Sequence, residues 1–117
     1  MTSKVLNLKL IQNIPEVKEK YIEETSWQDG NDTGSHVVFA DVLVPYIKEQ
    51  LLKDNAEIVA RIFDFIEDLL GLDDEYANEV IALSVIESLM FESEVEDKMV
   101  FKYAKPKTLK LVQEITG

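Results

Sequence analysis

Residues 73–91, DDEYANEVIALSVIESLMF, contain neither Gly nor Pro, and their apolar residues recur at steps of three and four. Tyr76, Ala77, Val80, Ile81, Leu83, Val85, Ile86, Leu89 and Met90 spread over more than one face of a helix, which predicts burial against neighbours on two sides. Asp73 is the expected N-cap, and Asp74 and Glu75 sit where the helix dipole favours anions. Glu75, Asn78, Glu79 and Glu87 exclude a membrane span. The stretch therefore reads as the central helix of a globular domain.

The flanking segments carry helical patterns of their own. Between residues 4 and 27, Val5, Leu8 and Leu10 or Ile11 give one stripe, and Pro15 opens a second short helix with Val17, Tyr21 and Ile22. Trp27 ends that segment as an expected anchor to the core. Residues 28–35, QDGNDTGS, read as a loop with nothing to bury. Ser35 is then expected to cap a helix over residues 36–52 whose apolar stripe includes Val37, Val38, Phe39, Val42, Leu43, Ile47, Leu51 and Leu52, with a kink at Pro45. Asp54 with Glu57 resembles a capping box for the next helix, which Gly71 closes, and the short link that follows predicts an antiparallel hairpin with the central helix. Ser93 with Glu96 suggests another cap, Lys105-Pro106 breaks that helix, and residues 106–115 form the last. The expected fold is all-α, a single domain over residues 1–117, with six to seven short helices in antiparallel hairpins. Both a HEAT or armadillo-like stack and a compact helical bundle satisfy this pattern.

Functional signals are sparse. The chain has no Cys, which removes thiol nucleophiles and cysteine zinc sites. Its single histidine, His36, has no partner nearby in sequence, so a structural role is expected and no catalytic residue is assigned. Asp29, Asn31, Thr33 and Gly34 match the first half of a calcium loop, but Ala40 stands where the closing Glu belongs. No metal ligand and no cofactor site is expected. The N-terminus mixes Lys4 and Lys9 with apolar residues, unlike a signal peptide, so a cytosolic location is expected.

Charge is the one strong functional cue. The net charge of −11 disfavours nucleic acid and anionic membranes as partners. Residues 1–53, 54–97 and 98–117 carry about −2, −13 and +4, so the middle segment holds the excess acid. Asp64, Asp68, Asp73, Asp74, Glu75 and Glu79 gather near the predicted hairpin turn as candidates for meeting a basic protein. The competing reading is a solvated face that keeps a small protein soluble.

The runs HVVFADVLVPYIKEQLLKDN and IFDFIEDLLGLDDEYANEVIALSVIESL resemble an uncharacterised family of small helical bacterial proteins. Phe39, Asp41, Pro45, Phe63, Glu67, Tyr76, Val80, Ser84, Ile86, Glu87 and Leu89 carry the likeness, with Pro15, Trp27 and the turn at Lys105, Pro106, Lys107 and Thr108. Some relatives are presumed immunity proteins of polymorphic toxin systems. The resemblance therefore implies that this chain binds and neutralises a toxin, of a nuclease type if the partner is basic. It implies no catalytic residue. A helical adaptor or regulator without a toxin partner is the alternative.

If the loop at residues 29–34 holds no calcium, thermal melting should be the same in EDTA and in micromolar calcium, magnesium or zinc. A rise of many degrees with any of these ions would show that the chain binds a metal ion.

Overall fold

The computed structural model describes residues 1–116. Seven helices run through them: α1 (Ser3–Asn13), α2 (Lys18–Thr25), α3 (residues 35–52), α4 (Ala56–Gly71), α5 (residues 75–90), α6 (Asp97–Tyr103) and α7 (Pro106–Thr116). A 3-10 turn at Pro15–Val17 leads into α2, so the proline does open the second helix. No strand occurs among the described residues.

Two helices depart from regular α geometry. In α3 the middle, Phe39–Leu43, is a π-helix, and in α5 the stretch Val80–Ile86 is. A π turn takes roughly 4.4 residues against 3.6 in an α turn, so a helix that mixes both averages close to four. Residues four apart then line up along the axis instead of drifting around it. Burial follows this rule in α5: Ala77, Ile81, Val85 and Leu89 are buried, Val80 and Ser84 are buried beside them, and Glu75, Glu79, Leu83 and Phe91 are exposed. In α3, Phe39, Leu43, Ile47 and Leu51 are buried while Val37, Asp41, Pro45 and Glu49 face solvent.

Pro45 explains the widened turn of α3. Its missing N–H and the bulk of its ring are incompatible with an α turn onto Asp41, and the π-helix ends just before it, with Val44 donating to the Phe39 carbonyl. The expected kink is thus a widening. Nothing in residues 80–86 explains the π geometry of α5 in the same way. The two π segments pack against each other, with Phe39 and Leu43 of α3 and Ile81 and Val85 of α5 fully buried. α4 lies against α3 and α5, and α7 covers α4.

α1 closes the other side through Leu6, Leu10 and Ile14; of the expected stripe, Leu10 is buried and Ile11 packs against the core, while Val5 is exposed. Asn7 lies between them and is fully buried. Its amide donates to the carbonyls of Asn31 at 3.1 Å and Thr33 at 2.7 Å, and its Oδ1 accepts from the Ser35 hydroxyl at 2.8 Å. The Ser35 N–H reaches Tyr76 Oη and Ser3 Oγ at 3.2 and 3.3 Å, and those two oxygens share a bond of 2.7 Å. Every polar group brought inside here has a partner, the condition for burying it without a large penalty. This junction binds α1, the loop, α3 and α5 together. Because α1 reaches both α3 and the start of α5, the helices form a compact bundle and not a one-dimensional stack. The radius of gyration, 13.2 Å, is that of a compact domain of this length.

Several local expectations are corrected. Asp74, not Asp73, caps α5, its Oδ2 accepting from Ala77 N–H at 3.5 Å. Asp73 has φ +53° and ends α4, whose last helical residue is Gly71. Asp54 likewise has φ +54° and closes α3: its N–H bonds to Leu51 and that of Asn55 to Gln50, so it opens no capping box. Both are aspartates, which tolerate the left-handed region better than most residues. Ser35 stands at the first helical position and spends its hydroxyl on Asn7, and α6 starts after Glu96 without a cap from Ser93. Thr33 and Ser35 are buried, so the loop does contribute to the interior. Trp27 is 73% exposed and anchors nothing. Val37, Leu52 and Leu83 also lie outside the core.

Replacing Asn7 by Leu keeps the branching and heavy-atom count of the side chain but leaves two carbonyls without their donor and takes the nearer acceptor from the Ser35 hydroxyl, which keeps only the Ser3 carbonyl at 3.2 Å. A loss of about 2–4 kcal/mol is expected, read as a lower urea midpoint at unchanged slope. A loss below ~0.5 kcal/mol would show that the junction holds little together.

Candidate functional site

The acidic end of the molecule is built by the α4–α5 hairpin. Asp64 and Asp68 lie one turn apart on the outer face of α4, and Asp73, Asp74 and Glu75 occupy the turn and the start of α5. Glu79 follows one turn later. Asp68, Asp73, Asp74 and Glu75 lie within about a turn of the link between the two helices, Asp64 stands at the middle of α4 and Glu79 a turn into α5, and their partners differ.

Three of the six are engaged within the chain. Asp64 pairs with Lys105, and this hydrogen bond raises the lysine above its ordinary range. The N-terminal ammonium of Met1 lies 3.0 Å from Asp74 Oδ1 and, with the Ala77 N–H, holds that carboxyl below its usual value despite partial burial. Glu79 Oε1 is 3.6 Å from His36 Nε2. Asp68, Asp73 and Glu75 are exposed and make no ion pair among the described residues. Of the six, these three are the most available to another molecule.

Glu67, on α4 between Asp64 and Asp68, does something the charge pattern did not reveal. Its carboxylate accepts from Lys107 N–H at 2.9 Å and from Thr108 N–H and hydroxyl at 3.0 Å each. It thus caps α7 across space, where Pro106 at the first position has no N–H to satisfy. Burial pushes the Glu67 pKa up, but the backbone and hydroxyl donors and the Lys107 charge outweigh it, and the net shift is downward. The signal was present only as two separate features, an acid on α4 and the Lys-Pro-Lys-Thr turn.

His36 also gains partners that lie far off in sequence. Its Nδ1 is 2.6 Å from Ser84 Oγ, and its ring meets Tyr76 edge-on at 5.9 Å. With Glu79 this gives a serine, imidazole and carboxylate in order. Nucleophilic catalysis would further require an accessible hydroxyl and free N–H donors for an oxyanion. Ser84 is only 8% exposed and sits inside the π segment, where neighbouring N–H groups belong to the helical ladder. The arrangement is suited to tying the start of α3 to the middle of α5.

The calcium-like loop is committed elsewhere. Asn31 Oδ1 accepts from Tyr21 Oη at 2.7 Å and the Asn31 and Thr33 carbonyls accept from Asn7, while Thr33 Oγ1 donates to Gly30. Among the described residues no three His, Asp or Glu side chains converge as a metal ion would need. No described helix is long and apolar enough to cross a membrane.

Residues 7–116 match the family described as Domain of unknown function (DUF7674), and the chain belongs to that family. No curated protein and no solved structure gives a significant match. The residues that carried the resemblance are largely architectural. Phe39, Phe63, Val80, Ile86 and Leu89 are fully buried, Glu67 caps α7, and Tyr76 and Ser84 hold α3.

Glu67→Ala is expected to cost about 1–2 kcal/mol at neutral pH, the range of a lost helix cap. Because the folded carboxyl titrates below its unfolded value of about 4.5, its charge-dependent contribution is complete above that pH and fades as pH falls through the folded value. Urea melts of wild type and Glu67→Gln should therefore converge on acidification. A difference that stays constant down to about pH 3 would show that α7 does not need the charge.

Proposed function

We propose that this protein is an acidic protein-binding module that engages a basic partner through the α4–α5 hairpin. Following the family resemblance, we read that partner as a bacterial toxin domain, of nuclease type, which this chain binds and neutralises in the cytoplasm. The supporting observation is that Asp68, Asp73 and Glu75, near the link of the hairpin, are exposed and make no ion pair among the described residues. A nuclease must present a positive face to its substrate, and a field of carboxylates both attracts and covers such a face. Asp64, Asp74 and Glu79 keep internal partners and contribute to the field at longer range.

The test pairs the chain with the product of the adjacent open reading frame. Co-expression should rescue growth of a bacterial host from that product. The triple variant Asp68→Asn, Asp73→Asn, Glu75→Gln should fold normally, since Asn also tolerates the left-handed backbone at position 73. Its association rate should fall about tenfold at low salt, and added salt should slow it less than the wild type. Unchanged rate, affinity and salt dependence would mean that these acids form only a solvated face.

A further inference from the structure

The outward stripe of α5 has a composition that neither its charge nor its apolar periodicity reveals alone. Because of the π segment, Glu75, Glu79, Leu83, Glu87 and Phe91 fall at four-residue steps along one side of the helix. Four of these five are exposed and Glu87 is half-buried. Leu83, inside α5, is 52% exposed and Phe91, at its C-terminal cap, 77%, whereas the stripe through Ala77, Ile81, Val85 and Leu89 is buried. Two large apolar side chains therefore project from a line of carboxylates. A single exposed apolar residue is ordinary, but two of them two turns apart in one line with glutamates give that line an amphipathic character.

We propose that this stripe is a docking ridge for a basic amphipathic helix presented by a protein partner, with Leu83 and Phe91 as apolar anchors and the glutamates pairing with flanking Lys or Arg. The inference rests on the binding reading above and specifies its contact face. The occupant follows from charge and spacing. Anchors eight residues apart lie two turns apart, about 11 Å, which matches apolar residues two turns apart on a second helix. The negative side chains between and beyond them select positive neighbours on that helix. A ridge that runs along its own axis packs into a partner groove at a shallow crossing angle, so the partner helix lies nearly parallel or antiparallel to α5.

The probe is a synthetic helical peptide of Leu and Lys, with leucines on one face and lysines on the other, compared with a lysine-only peptide of equal charge. Binding of each to the full chain is followed by fluorescence anisotropy, and contacts are mapped by amide chemical shifts. The Leu/Lys peptide should shift residues 75–91 and bind Leu83→Ser/Phe91→Ser at least about tenfold more weakly. The lysine-only peptide should bind more weakly and respond less than about twofold to the same changes. Leu83→Ala/Phe91→Ala serves if the serine variant melts early, because it keeps helix propensity. Wild-type affinity in either folded double variant, or shifts confined to other faces, would overturn the ridge while leaving the acidic-module reading in place. Failure of both peptides to bind wild type at low salt would overturn both readings.

Discussion

The two central helices must each be buried on most of their circumference within a chain of only 117 residues, and the widened turns of α3 and α5 are how they do it. A regular α-helix rotates residues four apart by about 40°, so a straight neighbour covers a given stripe for only a few turns. Averaging about four residues per turn keeps Ala77, Ile81, Val85 and Leu89 on one line, and Phe39, Leu43, Ile47 and Leu51 on another. Two straight helices can then stay in contact along their length. The same geometry leaves each with one straight stripe in solvent, and in α5 that stripe carries Glu79, Leu83 and Phe91.

Around this pair the bundle is sealed with polar groups as well as apolar ones. Asn7 and Ser35 sit in the interior because their donors and acceptors are matched to the backbone of the loop and to α1. Glu67 performs the equivalent task between α4 and α7, meeting the unsatisfied N–H groups at the start of α7. These contacts cross 24 to 41 residues of sequence, so they specify which helices meet and in what register. Greasy packing alone is less selective, since apolar surfaces tolerate sliding.

The candidate surface was legible to the extent that charge is local. Asp68, Asp73 and Glu75 form a cluster in any fold that keeps the hairpin, because they are neighbours along the chain. Which acids remain unpaired was not legible. The partners of Asp64, Asp74 and Glu79 are Lys105, the N-terminal ammonium and His36, each at least 40 residues away. Asp73 and Asp54 read as caps in the sequence because Asp is common both before a helix and in the left-handed position after one, and the chain passes directly from one helix to the next at both places.

Helical periodicity, the proline at position 15 and the short hairpin link were enough to determine an all-α domain and the order of its helices, because propensity and turn chemistry act within a few residues. The concentration of acid in the middle segment was equally a property of the chain alone. Bundle or stack was decided by tertiary contacts, since α1 and α5 meet only when the chain folds back on itself. The exposure of Leu83 and Phe91 belongs to the same category. The periodicity of Leu83 fits a buried helix of ordinary pitch, and a backbone widened to nearly four residues per turn turns it outward beside the glutamates, while Phe91 stands exposed at the helix's C-terminal cap.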